Sequence, residues 1–480
     1  MNASSAAVLV ADIGSTALKA GLVTGSGQCV RKRSVPAPGG PSVATQDAEA
    51  VWERTADLLS DVAHGWTAPI SAVVVIGQGD GLWRIDRDGA GATAYQWNSV
   101  AGADAVNRWE ADGTVDDQYR RTGTVLWPGT SAALWHHLRQ VDAPAARETR
   151  WVVTAPDWIT YRLTGEVTTD VTNASIPFLD PRTRAYDPGS FERLGCPELA
   201  ERVPEPREPG SYVAGVRPEV AERLGIRPGT PVHLGCVDVV AQAIGSGAQS
   251  AGDAVAVLGT TTAVTPLTRD PAPAGDPVGA TVAWIEPGLH LRVLGSSSGG
   301  AVLDWFLETH GYLGEHRFEE FWEDVDRSDS DTEIVLPFLY GERVPFLAPS
   351  ATGLVAGLTP LTRRSDLARA QAEGITMALR HCLESSGQVD TLVLTGGGSA
   401  NARWCQLVAD VVGRDVLVDS DPTMGLRGAA SLAPGFEYLR SRAGAVRAVS
   451  PSPAAEALDA RYHRYRAIID ALLPLWKETR

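Results

Sequence analysis

Asp12-Ile13-Gly14-Ser15-Thr16 follows the apolar run Ala6 to Ala11, and Gly259-Thr260-Thr261-Thr262 follows the apolar run Ala254 to Leu258. Each reads as a strand, a tight turn of small hydroxyl residues, and a second strand, Leu18 to Val23 in one case and Ala263 to Leu267 in the other. Glycine lets backbone N–H groups approach an anion closely, and the hydroxyls add donors. Either turn alone also fits an ordinary β-hairpin. The same device repeated about half a chain apart predicts two similar domains facing one nucleotide, and therefore a phosphoryl-transfer enzyme.

The elements around the turns extend this pattern. Strands Ala7 to Ala11, Leu18 to Val23 and Cys29 to Val35 come first, then a loop over Pro36 to Pro41. A helix is expected over Asp47 to His64, from the spacing of Val51, Thr55, Leu58, Leu59 and Val62, with Asp47 as N-cap. Ser71 to Ile76 is a continuous apolar run, which predicts a parallel strand buried on both faces. The second half repeats the order: strands near Ala254 to Leu258, Thr262 to Leu267 and Leu289 to Gly295, then helices at Gly300 to Thr309 and Ser365 to Glu384. A strand at Thr391 to Leu394 ends in Gly396-Gly397-Gly398. Helix Asn401 to Val412, strand Val416 to Val418 and helix Leu426 to Leu439 follow, and a tail helix over Ala454 to Lys477 is expected to break near Pro474. Pro204 to Pro209 and Ala272 to Pro277 read as surface loops, and Gly245 to Gly252 as the domain boundary. Strand, strand, strand, helix, strand is the opening of the ribonuclease-H-like, actin-like ATPase pattern.

Composition bounds the function. A chain of 480 residues is too long for one typical core. Hydrophobic content of 44% and charged content of 21% are those of a soluble globular protein. The 42 basic and 58 acidic residues leave a formal charge of −16, which argues against a nucleic-acid partner or an anionic membrane surface. Nucleotide phosphates would then need local donors or a metal. The five cysteines form no C-x-x-C pair, so neither a zinc site nor a disulfide framework is expected, and a reducing compartment is. The nine histidines show no H-x-x-x-H spacing, and His136-His137 reads as surface or packing. There is no signal-peptide pattern at Met1 and no apolar stretch near the roughly 18 to 20 residues that span a bilayer. A cytoplasmic protein is the expectation.

Further stretches carry a resemblance. They are Gly229-Thr230-Pro231-Val232-His233-Leu234-Gly235-Cys236-Val237-Asp238, with Ala241 and Gly245-Ser246-Gly247; Asp157 through Glu166; and Gly341-Glu342-Arg343-Val344-Pro345. Gly396-Gly397-Gly398-Ser399-Ala400-Asn401 and Trp404 through Asp410 with Gly413-Arg414 complete the set. In this order, through nearly the whole chain, they resemble the FGGY family of carbohydrate kinases. The resemblance implies an α/β fold of two ribonuclease-H-like (actin-like ATPase) domains, residues 1–248 and 249–480, with the active site in the cleft between them. It implies ATP and Mg²⁺, a small sugar or polyol as acceptor, and a homodimer.

Carried over residue by residue, the resemblance makes Asp238 the catalytic base. Asp238 follows the apolar strand Val232 to Leu234 and precedes the helical run Val239 to Ile244, a position that also suits a helix cap. Asp12 matches the acid that holds Mg²⁺, usually through water, and also fits a turn-capping aspartate. Gly14, Ser15 and Thr16 match phosphate contacts; Lys19 is either a further phosphate contact or a solvated strand lysine. Gly259 and Thr260 match the second phosphate turn, Gly300, Gly397 and Gly398 the adenosine side, and Asn401 the surroundings of the purine or ribose. No Walker-type G-x-x-x-x-G-K-[ST] occurs. For the acceptor, Gln78, Gly79 and Asp80 lie in a Gln78–Gly81 loop that also fits a plain glycine-rich turn. Asp157 and Asp238 join them, with Trp83, Trp97, Trp127 and Trp158 as apolar walls.

Departures fall on the acceptor side. The family's W-x-D-x-R segment is Trp97-Asn98-Ser99-Val100-Ala101 here, a common lysine is missing before Leu134-Trp135, and Ala351-Thr352-Gly353 replaces Ala-Arg-Gly. The Gln78–Gly81 loop resembles erythritol and L-xylulose kinases, and Trp127-Pro128-Gly129 resembles xylulokinases. The Arg-Glu pair of glycerol kinases corresponds to Gly79-Asp80. The leading expectation is ATP-dependent phosphorylation of a four- or five-carbon polyol or ketose. A xylulokinase with a remodelled pocket and a catalytically weak, sugar-responsive regulator are the alternatives.

Overall fold

The computed structural model describes residues 6–39, 44–91, 93–273, 277–419, 421–441 and 446–478. Parts of the expected Pro36–Pro41 and Ala272–Pro277 loops lie outside these described residues. Two sheets organise the chain. The first contains β1 (Ala7–Ile13), β2 (Ala17–Thr24), β3 (Cys29–Pro36), β4 (Ile70–Gly77), β5 (Tyr212–Gly215) and β6 (Pro231–Val237), in the order β5-β6-β4-β1-β2-β3. The second contains β7 (Asp253–Leu258), β8 (Thr262–Thr268), β9 (Ala280–Ala283), β10 (His290–Ser296), β11 (Thr391–Thr395), β12 (Val416–Val418) and β13 (Arg447–Val449), in the order β9-β10-β8-β7-β11-β12-β13. In both, a hairpin leads and the next strand of the motif adds in parallel: β1 pairs antiparallel with β2 and parallel with β4, as β7 does with β8 and β11.

The alternation of side chains explains the two-faced burial of β1. Leu9, Ala11 and Ile13 pack on one face against Val51 and Leu59 of helix α1 (Ala48–Ala63) and Ile159 of α2 (Ala155–Thr164). Val8 and Val10 pack on the other against Val240 and Ile244 of α3 (Asp238–Gly245). Burial on both faces is what an unbroken apolar run requires, and Ser71 to Ile76 falls in β4 as a parallel strand. Asp47 caps α1, its Oδ1 accepting from Glu49 N at 2.9 Å and Ala50 N at 3.3 Å.

The second half adds α4 (Gly300–Thr309), α5 (Arg364–Glu384), α6 (Ala402–Val412), α7 (Met424–Ala430) and α8 (Ala455–Glu478). Three expectations need correction. The helix read over Leu426 to Leu439 is split into α7 and a 3-10 turn at Glu437–Arg440, because Pro434-Gly435 lies between them and Gly435 takes φ +85°. The tail helix runs through Pro474 without ending: Tyr462, Tyr465, Ile469 and Trp476 are buried in one cluster, and that packing holds the last turn. Pro204 to Pro209 is not wholly a loop, since Pro206–Arg207 pairs in parallel with Thr169–Asp170.

The two sheets meet through α3 and α7. A Cβ on Gly245 would collide with the Met424 carbonyl, and one on Gly428 with the Ala241 carbonyl. Only glycine permits this backbone approach. The Arg427 guanidinium, 4% exposed, donates to the Gly245 carbonyl and to Asp421 across the same contact.

Candidate active site

Register brings three strand ends together. Ile13 of β1 pairs with Gly77 of β4, and Gly77 pairs with Val237 of β6. The residues that follow, Gly14, Gln78 and Asp238, therefore leave the first sheet along one edge. A Cβ on Gly77 would lie 2.6 Å from the Ile13 carbonyl oxygen, and Gln78 N donates to that oxygen at 3.0 Å.

Asp12 lies one residue before the end of β1, opposite Lys19 of β2. The Lys19 Nζ donates to Asp12 Oδ2 at 3.0 Å, with Asp12 8% exposed. Asp238 is the first residue of α3, and its Oδ1 accepts from Val239 N at 2.7 Å. Burial first, and the nearby Asp12 charge second, push the Asp238 carboxyl up to about 7, against the pull of Lys19. Lys19 in turn is raised, chiefly by Asp12 and in smaller part by Asp238. Asp12, Lys19 and Asp238 thus form one electrostatic cluster. Two carboxylates with a single ammonium leave room for a further cation, and the donor set suits magnesium, which takes one or two carboxylates and completes its shell with water and phosphate oxygens. Among the described residues no group of three or more His, Cys, Asp and Glu side chains is placed to cage a metal by itself.

Gly14, Ser15 and Thr16 form the turn between β1 and β2, and Gly259, Thr260 and Thr261 that between β7 and β8. The α4 N-terminus docks on the second turn: Gly300 N donates to the Gly259 carbonyl at 2.8 Å and Ala301 N to the Thr260 carbonyl at 2.9 Å. A Cβ on Gly300 would lie 2.9 Å from the Gly259 oxygen. The triple glycine packs on the end of the same strand, where a Cβ at Gly398 would lie 2.8 Å from Leu258 Cβ, while the space at Gly397 is open. Gly259, Thr260, Gly300, Gly397 and Gly398 are therefore one constellation. Asn401 lies beside it as the N-cap of α6; its Oδ1 accepts from Trp404 N at 3.1 Å, so that oxygen is committed to the helix.

Around Gln78–Gly81 the structure gathers most of the expected acceptor residues. Asp80 has φ +61°, a left-handed conformation that aspartate tolerates, and is 3% exposed. Its Oδ1 accepts from Ser131 N at 2.9 Å, while Oδ2 has no partner. Both amide atoms of Gln78 are also buried without a partner. Burial holds the Asp80 carboxyl well above the ordinary range. Trp97 and Trp127 are half-buried and adjacent: Trp127 Nε1 donates to the Trp97 carbonyl at 2.8 Å, and a Cβ on Gly81 would lie 3.2 Å from Trp97 N. A Cβ on Gly79 would lie 2.7 Å from Val237 Cγ2, which puts the loop against the residue preceding Asp238.

Two expected pocket walls are not walls. Trp83 and Trp158 are 0% exposed in the first core, and Trp158 Nε1 donates to the Ala48 carbonyl at 2.9 Å; an indole packed on every side has no face for a ligand. Asp157 serves chiefly as a cap: its Oδ2 accepts from Thr154 N at 3.0 Å and Thr154 Oγ1 at 2.8 Å, closing a capping box at the start of α2. Burial and the Asp170 charge push its carboxyl to about 7. His136 is packed, its Nε2 2.6 Å from the Leu194 carbonyl.

Sequence reading missed the polar run Thr169-Asp170-Val171-Thr172-Asn173. Thr172 Oγ1 accepts from Val237 N at 2.8 Å, fixing the backbone before Asp238. The Asp170 carboxylate accepts from Thr172 N at 2.8 Å and from the Asn173 side-chain amide. The available signal was four hydroxyl, acid and amide residues out of five, more than a plain surface turn needs.

Two hydroxyl-rich turns on twin sheets, with the Asp12 and Asp238 carboxyls at the edge of the first, define a phosphotransferase of the two-domain, actin-like ATPase class. The FGGY carbohydrate-kinase N-terminal domain model matches residues 7–245 and the C-terminal domain model residues 254–434. The chain belongs to the FGGY family of carbohydrate kinases, with ATP as its phosphoryl donor. It is 26% identical to erythritol kinase of Brucella abortus, over 88% of this chain and 86% of that protein. It is 32% identical to xylulose kinase of Streptomyces rubiginosus, over 80% and 78%. The structure of gluconate kinase from Lactobacillus acidophilus superposes with a TM-score of 0.92 at 21% identity, covering 99% of this chain and 100% of that one, a likeness of fold. Among the described residues no helix is long and apolar enough to cross a membrane.

Proposed function

We propose that this carbohydrate kinase phosphorylates a hydroxyl of a four- or five-carbon polyol or ketose, with Asp238 as general base. The observation that carries the reading is the Asp238 carboxyl, held near 7 at the end of β6, in register with the first phosphate turn and beside the Asp12–Lys19 pair. A base poised near neutral pH takes the hydroxyl proton at the moment of attack and is ionised often enough to do so. The freed oxygen attacks the γ-phosphate in line, and the bond to the ADP oxygen breaks. Gly14, Ser15 and Thr16 on one turn and Gly259 and Thr260 on the other offer donors to the phosphates, and Gly300, Gly397 and Gly398 border the adenosine. Asp12 would hold magnesium, which when bound supplies neutralising charge on the phosphate oxygens. Gln78 and Asp80, with Trp97 and Trp127 beside them, orient the acceptor.

ADP release across tetritols, pentitols, tetruloses, pentuloses and glycerol tests the reading. One strong acceptor is expected, with kcat lowered roughly 10²- to 10⁴-fold in Asp238→Asn and ATP affinity kept. Turnover at the wild-type rate in that variant removes the general-base assignment.

A further inference from the structure

A cavity of about 30 Å³ lies behind the acceptor loop, lined by Asp80, Ser131, Asp157, Thr169 and Asn173 among others. That is room for one hydroxyl or one water, not for a whole sugar. Asn173 is 3% exposed, and its Oδ1 is buried without a partner, as is Asp80 Oδ2. The orientation of the Asn173 amide is fixed chemically. Its Nδ2 donates to the Asp170 carboxylate, which accepts only, so the amide oxygen must face away. Asp170 is thus a positioning residue for Asn173, and through Thr172 it also holds the backbone of Val237 beside the base. An unpartnered buried acceptor costs on the order of 1–3 kcal/mol, so Asn173 Oδ1, on a residue of the cavity wall, is built for something that donates. Among the described residues lining the cavity none is lysine or arginine. Ala101, Ala132 and Ala133 carry no charge, and Ala132 and Ala133 are 0% exposed. Lys19, whose ammonium acts on Asp238, is paired with Asp12.

Building on the acceptor reading above, we propose that Asn173 is a specificity-determining residue. Its Oδ1 accepts a hydrogen bond from one acceptor hydroxyl in this cavity, and the site selects uncharged polyols or ketoses over sugar acids. A hydroxyl donates to Asn173 Oδ1 and replaces the water it lost. A carboxylate has no proton to give that oxygen and finds no cation. This separates the chain from a sugar-acid kinase of the same fold, such as the superposed gluconate kinase.

The test measures kcat/KM for the best neutral acceptor and for its deoxy analogues, one carbon at a time, in the wild type and in Asn173→Ala. The wild type should prefer the parent over one deoxy analogue by about 10-fold or more, and in the variant that preference should shrink to about 2-fold. Acceptor KM should rise while the ATP KM holds. Erythronate or xylonate should be used about 100-fold less well than erythritol or xylitol. The wild-type deoxy and acid series needs no variant, so it decides even if Asn173→Ala folds poorly. An equal deoxy preference in both proteins, an ATP KM that rises as much as the acceptor KM, or equal use of acid and polyol overturns the proposal. Silence of the whole panel would sink the kinase acceptor reading instead. Calorimetric titration of the same polyols then decides this inference separately: binding weakened by Asn173→Ala supports it, and no polyol binding to the wild type overturns it.

Discussion

Asp238 carries a proton to about pH 7 for two reasons with different remedies: burial, which no single substitution reverses, and the Asp12 charge, which Lys19 partly offsets. A general base works only when ionised, so acceptor kcat/KM should fall about tenfold per pH unit below 7 and level off above it. Lys19→Met removes the stabilising ammonium and should move this acidic limb to higher pH, whatever it does to the plateau; a pH–rate series in both proteins reads the shift. The same proton affects stability. Asp157 and Asp238 both sit near 7, above the ordinary carboxylate range, so the folded chain binds more protons than the unfolded one between the two values. Their contribution to stability is therefore lost as pH rises from about 4 to 7, and thermal unfolding of the apo-protein at pH 5 and pH 8 should show that loss. Asp238 was legible as a candidate because its surrounding segment is distinctive. Asn173 was not, since its role depends on which way its amide points, and Asp170 sets that.

At the scale of elements, helix starts do the positioning. α4 begins on Gly300, whose N–H bonds the Gly259 carbonyl, so the Gly259–Thr261 turn is tied to the start of the helix. Gly300→Ala sets a methyl 2.9 Å from that oxygen and should raise the ATP KM about tenfold or more while acceptor KM stays within about 2-fold; steady-state kinetics in each substrate separate the two. α2 begins on the Thr154–Asp157 capping box, so Asp157→Ala should cost about 1 kcal/mol of stability, seen as a lower melting temperature, whereas Asp157→Asn keeps an acceptor oxygen and should cost less. Helix α1 with its Asp47 cap and the apolar strands were readable because periodicity and capping are local. The break in the helix after α7 was carried by Pro434-Gly435 and overlooked. The persistence of α8 through Pro474 lay in its packing, which no local signal records.

The whole molecule is two sheets of the same design, joined where α3 and α7 touch backbone to backbone at Gly245 and Gly428. α3 starts at Asp238, the proposed base, and ends at that junction, so a disturbance there should reach Asp238. Gly428→Ala should force the helices apart, costing roughly 1–3 kcal/mol and lowering kcat more than it raises either KM; calorimetry and small-angle scattering, compared with the wild type, check both parts. The sequence by itself determined the twin-domain α/β plan, the family, and the residues that could face a nucleotide, because apolar periodicity, turn chemistry and segment order are written along the chain. Only the tertiary structure decided which candidates share a site. Register across β1, β4 and β6 puts Gly14, Gln78 and Asp238 on one edge, and packing removes Trp83 and Trp158 from it. The physical reason is that burial and pairing between distant residues, such as Val237 with Thr172 and Gly79 beside Asn173, exist only once the sheet has closed over them, and it is burial that leaves Asn173 Oδ1 without a donor.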